Sequence, residues 1–289
     1  MSGASPSRGF AILALPIVVL LGVFFFLPIG MVLSLAFKPY DQVTLIGEGY
    51  TLANFARFLG NAEHLWTLAR TLGISAATTV LCILLGFPVA WQLHSLRSAQ
   101  ARLWLTLVVL LPLMISLVVA SFSWMLIIGN NGVLNSLLMK AGLISSPIHM
   151  MNTVAGVIVV TVFSHISYSI LTIFASLENI DPSMVRAARI HGATETQILT
   201  RVILPLSLPG MVSGGVIVFS LSMAAFVIPF LIGGGRVVVM PLLVYQYTVQ
   251  FFDWPGAATL SVLLLVLTLA ATWLMTGFAQ RAMPWERAR

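Results

Sequence analysis

Ser164 beside His165 places a hydroxyl next to an imidazole, the raw material of acyl transfer. Such a pair also needs a carboxylate to orient the ring, and no Asp or Glu lies within reach along the chain. The remaining histidines, His64, His94, His149 and His191, are scattered, and no two share the spacing of a zinc-binding helix or finger. Cys82 is the single cysteine, so an internal disulfide is excluded. A loop that grips nucleotide phosphates ends in Gly-Lys-Ser/Thr. Lys38 follows Phe37 and Lys140 follows Met139, so neither lysine fits. The expected catalytic, metal and cofactor inventory is therefore empty, and the chain is not expected to be an enzyme.

The elements that carry these residues explain why. Of 289 residues, 59% are hydrophobic and 8% charged; a soluble domain carries about 25% charged residues. Segments 9–37, 71–96, 103–139, 141–177, 202–235 and 254–280 contain no Asp, Glu, Lys or Arg. Each exceeds the ~20 apolar residues that a helix needs to cross a bilayer. The chain reads as an all-α membrane protein with six transmembrane helices, near 11–36, 68–93, 104–128, 153–177, 209–232 and 258–279. The first run is too long for the apolar part of a cleaved signal peptide and is expected to remain as an anchor helix.

The net charge of +6 would suggest nucleic acid in a soluble chain; here it reports orientation. With the N-terminus inside, the inner segments hold nine basic residues: Arg8, Arg97, Arg102, Arg186, Arg189, Arg201, Arg281, Arg287 and Arg289. The outer ones hold five: Lys38, Arg57, Arg70, Lys140 and Arg236. The excess of basic residues in cytoplasmic loops then places both termini, 1–10 and 280–289, in the cytoplasm.

One hydrophilic stretch, 178–205, exceeds the ordinary 2–8 residues of a helix connection. Asp181 and Pro182 are cap and first-turn residues, so a short helix is expected over 182–191, closed by Gly192. Thr194 and Gln197 have capping-box spacing, and a second short helix is expected to end at Leu204-Pro205. A structured basic loop on the cytoplasmic side reads as a docking surface; its alternative is an amphipathic segment resting on lipid headgroups. Gly210-x-x-x-Gly214 has the spacing of close helix packing, a pattern that also arises by chance. No Asp or Glu lies in any span, which disfavours proton coupling. Sodium coupling through backbone carbonyls stays open, but if ATP drives this protein a partner must hydrolyse it.

Within this loop the run Arg186-Ala187-Ala188-Arg189-Ile190-His191-Gly192-Ala193, continued by Val202-Ile203-Leu204-Pro205, resembles a family signature. It is that of the permease subunits of bacterial binding-protein-dependent ABC importers of the type I fold: Glu-Ala-Ala, three residues, Gly, then a hydrophobic-Leu-Pro. Arg186 departs from it, replacing the glutamate. Gly129-Asn130-Asn131-Gly132-Val133-Leu134-Asn135, Phe226-Val227-Ile228-Pro229, Gly233-Gly234-Gly235, Val244-Tyr245-Gln246 and Asp253-Trp254-Pro255 are similar to the polyamine (spermidine/putrescine) branch. That branch also includes relatives proposed to handle iron, opines or phosphonates. Ala224-Ala225, where many polyamine permeases carry an acid, and Ala120, where they often carry an Arg before Trp124, depart from it.

The resemblance implies a permease domain over 66–279 and a coupling helix in the loop 178–205. Its ATPase contacts would be Met184 and Ile190 as apolar anchors, Ala187 and Ala188 for close approach, with Arg186, Gly192, Ala193, Leu204 and Pro205. Trp124, Ser164, Ser167, Phe226 and Pro229 would line the pathway or gate. The implied partners are a dimer of cytoplasmic ATP-binding subunits, a second and different permease chain, and a periplasmic or extracellular solute-binding protein on loops 38–66, 130–152 and 234–257. The solute would be a small polar or charged molecule, crossing the bacterial inner (plasma) membrane. An ion-coupled secondary carrier or channel is the alternative.

Overall fold

The structure is a computed structural model describing the backbone of residues 8–282 and the side chains of 15–278. Residues 1–7 and 283–289 of the terminal segments expected in the cytoplasm therefore lie outside the described residues. Among those residues every regular element is a helix: α1 (Arg8–Ala36), α2 (Ala53–Leu59), α3 (Ala62–Ser95), α4 (Ala99–Met114), α5 (Leu117–Ile128), α6 (Val133–Lys140), α7 (Val154–Glu178), α8 (Pro182–Ile190), α9 (Glu195–Ile198), α10 (Leu204–Met223), α11 (Val227–Ile232), α12 (Met240–Tyr245) and α13 (Trp254–Ala282). Six helical segments are long and apolar enough to cross a bilayer: Leu15–Ala36, Ala62–Ser95, Leu117–Lys140, Val154–Glu178, Glu195–Met223 and Trp254–Phe278. In hydrocarbon a chain must satisfy its own backbone hydrogen bonds, and the helix does so within one segment.

Three expected boundaries change. The span expected at 104–128 is broken at Ile115 and Ser116, which are extended (ψ 131° and 133°), leaving α4 and α5 as separate helices. Pro112, which cannot donate a backbone hydrogen bond, sits in the last turn of α4. Leu204-Pro205 does not end a helix. The chain stays helical from Glu195 to Met223 through a widened turn at Leu199–Ile203, where Leu204 N–H donates to Leu199 O, five residues back. The wider turn accommodates a proline ring that would otherwise crowd the carbonyl four residues before it. The span expected at 209–232 is likewise interrupted, between Met223 and Val227.

The helices group into two compact units. One holds α1, α2 and the first part of α13. Asn54 Nδ2 donates to Ala36 O (3.2 Å) and Lys38 O (2.7 Å), Thr259 Oγ1 donates to Ala36 O (3.0 Å), and Arg57 pairs with the buried Asp253 at 2.6 Å. The spanning window of α1 buries none of its residues, as suits a helix apolar all round.

The other unit holds α3 to α11 and the last part of α13. Its centre is the pair α7 and α10, brought together at glycines. A Cβ on Gly210 would stand 2.5 Å from Ser176 Cβ and 2.6 Å from Thr172 O, and one on Gly214 would meet Thr172 Oγ1. The small-x-x-x-small spacing is thus a real packing face, because only glycine lets these backbones approach so closely. Ile170, Ile173 and Leu177 of α7 complete a core with Ala90, Val109, Ile198 and Ile203. At the helix ends remote from the loop 178–205, Arg70 donates to Val238 O (3.2 Å), Met240 N–H to Thr71 Oγ1 (2.9 Å), and Asn152 N–H to Ile232 O (2.9 Å).

Candidate functional site

The loop after α7 is built to hold one short helix rigidly. Glu178, the last residue of α7, receives Arg102 at 2.9 Å and His94 at 2.9 Å, so the start of the loop is pinned to α3 and α4. Asp181 then caps α8, its carboxylate accepting from Ser183 N–H at 2.8 Å, and Pro182 fills the first turn. That bond holds the Asp181 carboxyl below its ordinary pKa, with Arg186 nearby adding to the effect. At the other end Gly192 is left-handed (φ 80°), Gly192 N–H donates to Arg189 O, and Ala193 N–H to Ala188 O. This pairing closes the helix as a Schellman motif, a turn that favours glycine because it has no Cβ.

The next helix restarts at once. Thr194 and Gln197 form a reciprocal capping box, and Arg189 reaches over to Glu195 with two bonds of 2.9 and 3.1 Å. The same contact raises the pKa of Arg189. From Glu195 the helix continues into the spanning α10, so α8 is coupled to the membrane bundle by folded structure on both sides.

The two faces of α8 differ. Val185 and Ala188 turn inward and pack against the core of Ile170, Ile173 and Leu177, together with Ala193 and Leu199. Met184 (47% exposed), Ala187 and Ile190 (85% exposed) turn outward, three residues apart. An outward Ile on a capped helix leaves an apolar stripe without a partner among the described residues. The two alanines, both expected at a partner's surface, thus separate: Ala187 is open and Ala188 is committed to this chain's own packing. Arg186 is exposed beside the stripe, and Leu204 and Pro205 lie in the continuous helix rather than at its end.

The residues expected along a pathway are less uniform. Trp124 stacks edge-on against Phe163 (centroids 5.2 Å), and Phe226 lies parallel to Phe230 (5.4 Å). Pro229 is buried. The hydroxyls of Ser164 and Ser167 are also buried: Ser164 donates to Val160 O in its own helix, and Ser167 to Val109 O of α4 at 2.6 Å. The first bond lies within α7 and the second joins α7 to α4, so each hydroxyl already donates to a backbone carbonyl of this chain. His165 is buried too, 3.3 Å from Ser222 Oγ, and among the described residues no carboxylate pairs with it. The ion cluster of His94, Arg102 and Glu178 had no sequence signal, since its members are separated by up to 84 positions.

The described residues thus form a polytopic helical bundle that carries, between two spans, a capped helix with an open apolar face. Residues 82–283 match the family model for the inner membrane component of binding-protein-dependent transport systems. The chain belongs to this family, the permease subunits of type I ABC importers, and is a multi-pass inner-membrane protein. It is 30% identical to the spermidine/putrescine transport system permease PotB of Salmonella typhimurium, over 85% of each chain. It is also 30% identical to the sn-glycerol-3-phosphate transport system permease UgpA of Yersinia pestis, over 98% of this chain and 100% of that one. The fold superposes with TM-score 0.78 on a chain of a bacterial alginate ABC transporter solved in complex with its alginate pentasaccharide-bound periplasmic protein. The match covers 95% of this chain and 94% of that one at 18% identity.

Proposed function

We propose that this permease imports a small polar or charged solute, of the polyamine, opine, phosphonate or iron-complex group, powered by ATP hydrolysed on a partner subunit. Similarity to the spermidine/putrescine permease supports the solute class. The observation that carries the coupling is the outward stripe Met184, Ala187 and Ile190 on a helix capped at both ends. A helix so held transmits force instead of yielding to it, and its apolar face suits a groove on another protein. Two ATPase subunits close on ATP, draw α8 with them, and rock α7 and α10 between inward-open and outward-open states.

In this scheme both termini are cytoplasmic and the permease domain spans 66–279. A second permease chain completes the pathway, and a solute-binding protein docks on the outer loops 38–66, 130–152 and 234–257. Phe226 and Trp124, each paired with a second aromatic ring, are the better candidates for the gate, with Pro229 buried in the helix that follows Phe226.

The test is Ala187→Trp in the assembled transporter. Ala187 is exposed, so the indole fills the partner's groove without disturbing the fold; uptake and ATPase association are expected to vanish while membrane insertion persists. The scheme fails if uptake survives without any ATPase subunit and collapses when the ion gradient is dissipated, which is the behaviour of a secondary carrier.

A further inference from the structure

Beside α8 the chain forms a cavity of about 520 Å³. Its walls are apolar where Trp91, Val185 and Ile198 meet and charged where Arg186, Arg189 and Glu195 stand. Two of the three carboxylates around it are paired with cations of this chain, Glu178 with Arg102 and His94, and Glu195 with Arg189. The third, Asp181, accepts from the Ser183 amide and attracts Arg186 without forming an ion pair with it. The cations are not all matched in return. Among the described residues, Arg186 at the rim of the cavity and Arg201 further along are exposed and make no ion pair. The face therefore carries a surplus of positive charge concentrated next to the apolar stripe.

Resting on the docking reading above, we propose that the ATPase subunit presents a carboxylate to Arg186, so that its groove is acidic where α8 enters. A guanidinium offers a planar fork of donors that matches a carboxylate with two parallel bonds, and that pairing gains strength when a docked partner excludes water. Arg186 stands where the family signature has glutamate, so a groove built for that acid would repel this chain. The charge reversal makes Arg186 a selector among ATPase subunits: it favours the one with a complementary acid and penalises the rest. A concave, half-apolar cavity beside the arginine favours a protein side chain over a flat layer of lipid phosphates.

The test uses the full chain in nanodiscs of uncharged phosphatidylcholine and the ATPase subunit of the same transport system. Association is measured for the wild type, R186K, R186Q and R186E at about 50 mM and about 500 mM KCl, since attraction between charges fades as salt shortens the screening length. R186E is expected to weaken association at least about tenfold in low salt, with the deficit shrinking in high salt and R186K retaining most of the affinity. Acid-to-base changes in the ATPase groove should restore R186E. Unchanged or tighter binding of R186E, while Ala187→Trp abolishes docking, overturns the charge assignment and leaves the docking helix intact. Normal binding by both variants overturns the docking reading itself. An effect of R186E seen only when anionic lipid is added assigns the arginine to the membrane surface and overturns the proposal. Arg186 is exposed, so thermal unfolding of R186E should match the wild type.

Discussion

Ile190→Ala tests the docking surface through a quantity that the structure sets. Ile190 is 85% exposed, so almost its whole side chain is free to be buried by a partner. Each buried CH2 or CH3 group is worth about 0.8 kcal/mol; Ile190→Ala removes three of them, so a partner that covers two or three loses about 1.5–2.5 kcal/mol. At about 1.4 kcal/mol per factor of ten, the ATPase subunit should bind roughly 10- to 60-fold more weakly. Met184 is 47% exposed, the rest of it being covered by this chain already. Met184→Ala should therefore cost about half as much, near 1 kcal/mol or roughly fivefold. Ile190→Ala should not move the unfolding temperature appreciably, because exposed substitutions fall within about 0.5 kcal/mol, whereas Met184→Ala also removes the half of its side chain packed on this chain and should lower the stability by about 1 kcal/mol. Biolayer interferometry on permease held in nanodiscs reads both affinities, and a thermal melt of the same samples reads the fold. If both variants bind within twofold of the wild type, or if Met184 outweighs Ile190, the outward stripe is not the docked face.

Gly210→Ala forces a Cβ to within 2.6 Å of Thr172 O, so α7 and α10 must part, at a cost of about 1–3 kcal/mol read by thermal unfolding. Gly73→Ala in α3, where a Cβ meets nothing within 4 Å, should instead stabilise by about 0.5–1 kcal/mol, and equal effects at the two sites would refute the packing account. Arg57→Ala leaves the Asp253 carboxylate, 6% exposed, without its cation; because Arg57 is itself 48% exposed, the loss is discounted to about 1–3 kcal/mol, and Asp253→Asn in the same chain should recover part of it. Ala188→Trp, unlike Ala187→Trp, should lower the unfolding temperature as well as coupling, because its indole enters this chain's own core.

Much of this fold could be read from charge-free runs, because lipid leaves a chain few ways to satisfy its backbone. The loop helix was legible for a local reason: Asp181, Pro182, Gly192, Thr194 and Gln197 each act within a few positions of themselves. What could not be read depends on contacts across the bundle. Leu204-Pro205 looks like a stop in one dimension, and only the widened turn at 199–203 lets the helix pass through it. Ala187 and Ala188 are equivalent in a motif but lie 100° apart on a helix, and the core behind α8 decides which is free. Ser164 and Ser167 look available in the sequence until the carbonyls of Val160 and Val109 occupy them.

These same contacts fix where a pull on α8 would be felt. The helix cannot swing alone, since the Schellman turn, the capping box and the Arg189–Glu195 pair tie it to Glu195, and the helix from there runs unbroken through 29 residues to Met223. At about 1.5 Å per residue that is a rod of roughly 43 Å, longer than the hydrocarbon layer is thick. Along it, Gly210 and Gly214 set the rod directly on α7 with no side-chain cushion, so under the proposed coupling α7 and α10 would be carried together. Beyond the widened turn at 199–203, the first interruption of the helix is the break between Met223 and Val227. Phe226 belongs to that break and Pro229 to the turn after it, so a displacement imposed at α8 would be converted to a bend at the aromatic pair Phe226 and Phe230. A gate at this position needs no flexibility along the lever, only a discontinuity at its far end.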